Sequence, residues 1–329
     1  MDWFERLTGF REEGYDATRE KLRIDGDELV STVSGRRYGI GVLEVPTLDE
    51  LRRRTTIPAR GRTTVRCVTG DARAMHADPD LAGAMIQVAS QFNLLEMADP
   101  GVTPEDGVTR YADDHTQGPA CAIAAGAATI YRNYFAEVDG RRGQTSDRQI
   151  DGLSRVGIAL AEKLNTSVDA LWTMRNGYAL CTPEGLALIT ELLATEADEV
   201  RGMLAIGLHR DVEVTDVPAA RRHVVSQAFC SALPVAYGAG RPSQWEAFAR
   251  LILEAAYEAT LLAAVERDQT VLLTRVGGGV FGNADAWIDD AIVRALGIVE
   301  HAGLDVRLVS YREAHPSFRT IARRFSAPS

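Results

Sequence analysis

The chain has 329 residues, of which 46% are hydrophobic and 25% are charged, and its 36 basic and 46 acidic side chains give a net charge of −10. This composition is typical of a globular protein and excludes a disordered or fibrous one. The acidic balance argues against nucleic acid or an anionic membrane surface as the main partner, because both attract basic proteins. No apolar stretch approaches the roughly 18 residues of a membrane-spanning helix, and residues 1–6 do not resemble a secretory signal. We therefore expect a cytoplasmic protein.

Residues 1–60 are predicted to form an N-terminal extension that packs on the core. Hydrophobic alternation over residues 22–24 and 28–34 predicts strands, and residues 48–54 predict a short helix. From residue 61 onward, β-rich apolar runs alternate with helical patterns, which is typical of a three-layer α/β/α sandwich with one central sheet. The predicted strands cover residues 65–68, 85–92, 203–208, 224–229, 271–276 and 306–309. Residues 136–200 show no strand pattern and predict a helical insertion.

Two helices are placed by local signals. One is predicted to begin at Pro119, a residue favoured in the first turn, with Ile123, Ala127, Ile130 and Tyr134 on one face. The other is predicted to begin near Ser243, where a capping-box pattern precedes the apolar run, and to end near residue 266.

The cysteines give no sign of a metal site or of a disulfide. They lie singly in apolar segments, no C-x-x-C occurs, and the six histidines form no ligand-like pair. We expect them to be small buried side chains and predict no bound metal and no cofactor. The four residues are Cys67, Cys121, Cys181 and Cys230.

A glycine-rich loop between the predicted strand 271–276 and a helix is the most informative segment. Glycines let backbone N–H groups turn toward a ligand, and the following helix N-terminus adds partial positive charge, so the segment predicts a diphosphate site. A tight turn without a ligand is the alternative, but so many glycines favour the binding role. The loop consists of Gly277, Gly278, Gly279, Val280, Phe281, Gly282 and Asn283.

The same glycines match the dinucleotide fingerprint G-x-G-x-x-G. A Rossmann domain normally begins with this unit, whereas here only 47 residues follow Gly282. Glu313, at the end of the next predicted strand, would then contact a ribose hydroxyl. A nicotinamide-dependent oxidoreductase therefore stays open as an alternative.

The order of motifs resembles that of macrodomains, the ADP-ribose-binding family that includes poly(ADP-ribose) glycohydrolases. The loop G-G-G-V-F-G-N resembles the second phosphate loop of the family, and V-T-G-D, ending at Asp71, resembles its adenine-binding G-D. The strand that leads to Asn93 resembles the one carrying the family's distal-ribose asparagine. The resemblance covers roughly residues 63–315 and implies a mixed sheet between helices. It also implies a first glycine loop at Gln117, Gly118, Pro119 and Ala120.

Several family patterns are missing or altered. The chain has no N-A-A-N, and the Q-E-E of poly(ADP-ribose) glycohydrolases is absent, which argues against polymer cleavage by that mechanism. The segments Q-F-N-L-L-E and Y-A-D-D-H-T-Q-G-P-A-C-A-I resemble instead a divergent branch that acts on arginine-linked ADP-ribose.

An acidic segment lies between Asn93 and the helix predicted at Pro119. It contains six carboxylates in 19 residues and is expected to overhang the first glycine loop. Cleavage of an anomeric bond passes through an oxocarbenium-like state that carboxylates stabilise, and carboxylates also bind a guanidinium leaving group. Most of the six are expected to be solvated; the candidate catalytic residues, in order of preference, are Asp114, Asp106, Glu96 and Asp113.

Other residues have a structural and a functional interpretation side by side. Asp71 is predicted to bind the adenine amino group or to be a simple turn residue, and Phe281 to pack on the distal ribose or under the sheet. Asn283 is more typical of a helix N-cap than of a ligand contact. The packing of the insertion is the default role for Arg175 and Tyr178, which otherwise would cover the adenine or contact the substrate. His115 is expected to be an exposed loop residue rather than a base.

These observations predict a metal-free ADP-ribosylhydrolase that removes mono-ADP-ribose from arginine. Its partners would be ADP-ribose or an ADP-ribosylated protein, without nucleic acid or membrane. A module that binds ADP-ribose without hydrolysing it is the main alternative.

Overall fold

The structure, a computed structural model, describes residues 1–326. Its strands are β1 (Leu22–Asp25), β2 (Glu28–Ser31), β3 (Arg37–Gly39), β4 (Val42–Glu44), β5 (Thr64–Thr69), β6 (Met85–Ala89), β7 (Glu137–Val138), β8 (Arg141–Arg142), β9 (Trp172–Arg175), β10 (Tyr178–Cys181), β11 (Gly207–Glu213), β12 (Val224–Cys230), β13 (Val271–Leu273) and β14 (Asp305–Ser310). Its helices are α1 (Trp3–Thr8), α2 (Tyr15–Glu20), α3 (Leu48–Arg54), α4 (Ala72–His76), α5 (Gln117–Ala124), α6 (Gly126–Tyr134), α7 (Ser154–Leu164), α8 (Val168–Leu171), α9 (Pro183–Gly202), α10 (Pro242–Val265), α11 (Asp285–Ile298) and α12 (Pro316–Ser326).

A seven-stranded mixed sheet with the order β4-β11-β12-β6-β13-β14-β5 forms the centre. Strands β12, β6, β13, β14 and β5 are parallel, while β11 is antiparallel to both of its neighbours. Successive residues of β13 alternate between two cores: Val271 and Leu273 pack under α10 and α11, and Leu272 packs on the opposite side, with α4 and α5. The predicted three-layer α/β/α fold is thus confirmed.

The first 60 residues contribute to two parts of the structure. Strands β1, β2 and β3 form a small antiparallel sheet, whose apolar side packs on α1 and α6 through Phe4, Leu29 and Ile130. Strand β4 instead joins the edge of the central sheet by pairing with β11. The extension is therefore packed on the core and also continues its sheet.

The predicted strand at 203–208 is wrong over most of its length. Helix α9 runs to Gly202, and the strand is β11, which begins at Gly207. The strand was missed because charged residues interrupt its apolar pattern. One of them, Arg210, is buried and donates to Glu44 at 3.0 Å and to Glu266 at 2.5 Å. The strands predicted at 85–92 and 271–276 each end three residues early, at Ala89 and Leu273. The residues that follow them form loops.

The helical interpretation of residues 136–200 is only partly correct. Helices α7, α8 and α9 occur there, but so do the hairpins β7–β8 and β9–β10. The turn between β9 and β10 is Asn176-Gly177, both with positive φ, a dipeptide that strongly favours a two-residue hairpin. The sequence therefore contained the signal that the helical interpretation overlooked.

The helix predicted from Pro119 is two helices. It begins at Gln117 and is interrupted at Ala125, where φ and ψ are −111° and 57°. The next residue, Gly126, lies against α1: a Cβ there would be 2.8 Å from Cζ3 of Trp3. The break lets α6 pack closely on the N-terminal helix. Helix α10 begins at Pro242, one residue before the predicted Ser243.

The four cysteine thiols are free. Cys121, Cys181 and Cys230 are buried, as the sequence predicts, whereas Cys67 is only half-buried. Residues 1–326 contain no cluster of three or more His, Cys, Asp or Glu side chains arranged to hold a metal ion. No helix within this range has the length and apolar character needed to cross a bilayer.

Candidate active site

A cleft of about 310 Å³ opens at the carboxyl ends of the parallel strands β6 and β13. This edge is where ligands bind in open α/β sheets. The first residues of α5 form one wall, the glycine loop after β13 forms the facing wall, and Tyr178 of β10 closes one side. The fold therefore brings together the two loops that the sequence marked as phosphate-binding.

The glycine loop is fixed by hydrogen bonds of its own. The Asn283 amide donates from Nδ2 to the carbonyl oxygen of Leu233 at 2.9 Å, and its backbone N–H donates to Gly277 at 3.0 Å. At the start of the loop, the buried Tyr257 hydroxyl accepts from the Val276 N–H at 3.0 Å. Asn283 thus joins the end of the loop to its start at Gly277. The N-cap of α11 is Ala284. The N-cap interpretation of Asn283 is wrong.

Three consecutive backbone N–H groups of this loop are available to a ligand. Within residues 1–326, the N–H groups of Gly279, Val280 and Phe281 have no hydrogen-bond acceptor, and all three residues line the cleft. Consecutive backbone amides without an acceptor can bind anions, above all phosphate oxygens. The loop therefore has the geometry of a diphosphate cradle.

The opposite wall is braced by the side chain of Gln117. Its Oε1 accepts from the Ala89 N–H at 2.9 Å, and its Nε2 donates to the Gln87 carbonyl at 2.8 Å. The Gln117 side-chain amide thus takes the place of a paired strand beyond Ile86, where the pairing between β13 and β6 ends. Gln117 therefore fixes the N-terminus of α5 at the cleft, with its side chain engaged by the strand.

Gly118 leaves room for a carboxyl group beside the first turn of α5. A Cβ at this position would lie 2.0 Å from Oε2 of Glu96 and 2.3 Å from the Ala89 carbonyl oxygen. Only glycine leaves room for this contact. Gly118 thus lines the cleft and also leaves the space that the Glu96 carboxyl occupies.

Glu96 is the most perturbed acid of the cleft. Its side chain is 7% exposed, and Oε1 has no hydrogen-bond partner within residues 1–326. Burial raises the pKa of Glu96 from 4.5 to about 8; the guanidinium of buried Arg132 opposes this rise, and the Asp114 carboxylate adds to it. A carboxyl group whose pKa is raised by burial in a cleft is suited to act as a general acid near neutral pH.

The burial of Glu96 predicts how the free energy of unfolding depends on pH. Because the folded-state pKa of Glu96 lies above its unfolded value, the contribution of this residue to stability is most favourable below about pH 4.5 and falls as pH rises to about 8, by up to ~1.4 kcal/mol per pH unit. In Glu96→Gln this loss disappears. The free energy of unfolding of the variant, measured in urea, is expected to exceed that of the wild type by an amount that grows from pH 5 to 8 and then stays constant. Identical pH profiles would contradict the buried, neutral carboxyl.

A shallow acidic pocket adjoins the cleft on the side of Asp114. It is lined by Asp106, Asp113 and Asp114 together with Ala98 and Arg110, and it shares Ala98 and Asp114 with the cleft. Asp114 Oδ1 accepts from the Thr116 N–H at 2.8 Å, which places it just before α5. The four predicted catalytic acids therefore lie in two connected places: Glu96 and Asp114 in the cleft, and Asp106 and Asp113 beside it.

The remaining predicted ligand residues divide into two groups. Of the predicted set, Gln117, Gly118, Pro119, Gly277, Gly279, Val280 and Phe281 line the cleft. Outside its lining lie Asp71, Asn93, Ala120, Gly278, Gly282 and Asn283.

Asp71 and Asn93 are engaged in local structure. Asp71 caps α4 by accepting from the Ala74 N–H at 3.0 Å, which is the turn role weighed for it. Asn93 is fully buried, where its Nδ2 donates to Gln149 at 2.9 Å and its Oδ1 accepts from Leu95 at 3.1 Å.

An aromatic wall completes the cleft. The rings of Tyr178, Tyr237 and Phe281 have centroids 5.2 to 5.9 Å apart, and the Tyr178 hydroxyl donates to the Met97 carbonyl at 2.6 Å. Phe281 is 7% exposed, so it supports the wall more than it presents a free face. Two residues of the cleft lining, Tyr237 and Gln91, were not predicted as site residues. Tyr237 lies 41 residues before Gly278 in a segment without a recognisable motif, and Gln91 belongs to the motif Q-F-N-L-L-E.

Three residues weighed as alternatives lie outside the cleft lining. Glu313, Arg175 and His115 are all exposed, and none of them lines the cleft. His115 has the exposed loop position that was expected for it.

No protein-family model matches the chain, and no curated protein matches it. Among solved structures, the chain is similar to the poly(ADP-ribose) glycohydrolase from Thermomonospora curvata, with 13% identity, a TM-score of 0.47, and 94% of this chain and 95% of that chain covered. It is also similar to the poly(ADP-ribose) glycohydrolase from Deinococcus radiodurans in complex with ADP-ribose, with 16% identity, a TM-score of 0.43, and coverage of 96% and 98%. Likenesses of this size assign no function to the chain.

Proposed function

We propose that this chain is an ADP-ribosylhydrolase that releases mono-ADP-ribose from a protein side chain, with arginine as the preferred linkage. The observation that carries the proposal is the carboxyl of Glu96, which is buried without a hydrogen-bond partner for Oε1 within residues 1–326, in the same cleft as three loop amides that have no acceptor. A cradle for a diphosphate and an acid for an anomeric bond are the two parts that this reaction needs.

Binding is supplied mainly by the backbone. The amides of Gly279, Val280 and Phe281 receive phosphate oxygens, and the N-terminus of α5 faces them across the cleft with its partial positive charge. This arrangement suits a protein with a net charge of −10, because it needs no cationic side chain against the diphosphate. The distal ribose then extends toward Glu96 and Asp114.

The two cleft acids have different surroundings and therefore different roles: Glu96 is buried, whereas Asp114 is half-buried just before α5. As the bond between the anomeric carbon and the leaving nitrogen breaks, its electron pair leaves with nitrogen, and neutral Glu96 provides the proton that the departing guanidine takes up. Asp114 stabilises the positive charge on the ribose and accepts a proton from the attacking water. The products are free ADP-ribose and unmodified arginine.

The acidic pocket supports arginine as the linkage. Carboxylates bind guanidinium through paired, charge-assisted hydrogen bonds. Asp106 and Asp113 lie beside Asp114, and the side chain of Arg110 already stands 3.9 Å from Asp106. A serine or ester linkage brings no cation to this pocket. We therefore place the modified arginine over these aspartates.

The proposal is tested by release of free ADP-ribose from proteins modified on arginine, serine or glutamate, and from poly(ADP-ribose). We expect the arginine-linked substrate to be preferred. The double variant Asp106→Asn/Asp113→Asn is expected to raise KM for that substrate by about tenfold and to leave the affinity for free ADP-ribose unchanged. Asparagine at 106 can still accept from the Thr103 N–H, so the local turn is retained.

Asp169→Asn, on the exposed side of α8, is the matched control for the loss of a negative charge. Binding of ADP-ribose without release from any linkage would overturn the proposal in favour of a binding module. Release from serine or from polymer at the same rate as from arginine would overturn the linkage.

A further inference from the structure

A carboxylate of the N-terminal segment holds the chain just before the acidic pocket. Glu12 accepts three hydrogen bonds: from the Val108 N–H at 2.9 Å, from the Thr109 N–H at 2.7 Å, and from the Tyr134 hydroxyl at 2.7 Å. These partners lie 96 to 122 residues away in sequence. Charge-assisted hydrogen bonds to backbone amides are among the stronger polar contacts in proteins.

The approach of Glu12 depends on the residue at position 107. Gly107 has φ of +78°, and a Cβ there would lie 2.5 Å from Cδ of Glu12. Trp3 adds a second contact from the N-terminal segment, since its Nε1 donates to the Thr109 carbonyl at 3.2 Å. Two side chains from the first twelve residues thus hold the same short stretch of backbone.

That stretch is connected directly to the acids of the site. Asp106 comes immediately before Gly107, and the turn Thr109–Asp113 leads into Asp114. Tyr111, in the middle of this turn, is buried, and its hydroxyl accepts from the Glu96 N–H at 3.1 Å. Movement at residues 107–109 would therefore shift the pocket acids and the backbone of Glu96 together.

We propose that Glu12 is a positioning residue for the reaction, an inference that rests on the proposed function. The pocket gathers three aspartates whose charges repel one another, so the segment that carries them needs an external tether. Glu12 supplies that tether through backbone amides and touches neither the cleft nor the acidic pocket. The N-terminal extension is consequently part of the catalytic apparatus.

Glu12→Ala is the test, and Glu13→Ala is its matched control, because within residues 1–326 the Glu13 carboxylate is hydrogen-bonded only to the half-buried Lys21 ammonium. In Glu12→Ala, amide hydrogen exchange at Val108 and Thr109 is expected to accelerate at least about tenfold, and kcat is expected to fall by at least about tenfold. The Kd of free ADP-ribose is expected to stay within about twofold, because the glycine loop is untouched. Glu12→Gln, which keeps an acceptor oxygen, is expected to restore part of kcat.

Exchange at Val108 and Thr109 that matches the Glu13→Ala control would overturn the tether. A loss of kcat accompanied by equal losses of ADP-ribose affinity and of Tm would also overturn the positioning role, since it would show a general stability effect. If the wild type releases no ADP-ribose from any substrate, the proposed function fails, whereas the exchange measurement still decides whether Glu12 holds the segment.

Discussion

Glu96→Gln is expected to reduce the release of ADP-ribose by about 10²- to 10⁴-fold, the range found when a general acid is removed. Glutamine keeps the size of the side chain and has no carboxylic acid proton to give to the leaving nitrogen. The amide has the size of the carboxyl it replaces, and burial already raises the pKa of that carboxyl, so the cleft should keep its shape. Kd for free ADP-ribose, measured by calorimetry, is therefore expected to stay within about threefold of the wild type.

Glu105→Gln is the matched control for this loss. Glu105 belongs to the same acidic segment and also has a buried oxygen, Oε2, without a partner in residues 1–326, but it accepts from Ser146 and does not line the cleft. We expect its kcat to be close to that of the wild type. If Glu96→Gln retains more than about a tenth of wild-type kcat, Glu96 is not the acid.

Gly279→Val is expected to weaken the binding of ADP-ribose by at least about 100-fold. A Cβ on Gly279 would meet no protein atom within 4 Å, and φ at this residue is outside the left-handed region, so the fold accommodates the side chain. Because Gly279 lines the cleft and its N–H lacks an acceptor, the valine side chain would occupy the space of the diphosphate.

Gly297→Val is the corresponding control for a glycine with open space at its Cβ, since Gly297 lies on the exposed side of α11. Its affinity for ADP-ribose should equal that of the wild type. Thermal unfolding distinguishes a blocked site from a damaged fold: Gly279→Val should keep a Tm close to that of the control. Unchanged affinity in Gly279→Val would remove the glycine loop from the binding site.

Strands with clear apolar patterns were predictable from the sequence, whereas a strand that contains buried polar residues was missed. Strands β5, β12 and β14 overlap short β-rich apolar runs that were recognisable in the sequence. Strand β11 was missed because His209, Arg210 and Asp211 interrupt its apolar run. The burial of Arg210 depends on partners distant in sequence, Glu44 and Glu266. Strand β4 has only three residues, and it is recognisable only through its pairing with β11.

The site shows a similar division. The glycine loop was found from the sequence because three adjacent glycines are rarely needed for a turn alone. The preference for Asp114 over Glu96 followed sequence distance from Gly118, whereas the fold places the Glu96 carboxyl directly against Gly118. No local pattern encodes such a contact, nor the desolvation that comes with it. The same holds for Asn93, whose amide is used entirely within the core.

Glu96 also illustrates a conflict between stability and activity. A neutral amide at this position would remove the cost of ionising a buried carboxyl at high pH, so the native residue is not the most stable choice. Groups that lower stability and lie in a ligand cleft are typical of active sites. The stability gain and the loss of activity in the same variant, Glu96→Gln, would therefore support one explanation from two independent measurements.

A crystal structure of Glu96→Gln with bound ADP-ribose tests the central claim most directly. The predicted result has the diphosphate oxygens within hydrogen-bond distance of the amides of Gly279, Val280 and Phe281, and the anomeric carbon of the distal ribose beside residue 96 and Asp114. A nucleotide bound elsewhere, or one whose distal ribose points away from these two side chains, would contradict the account.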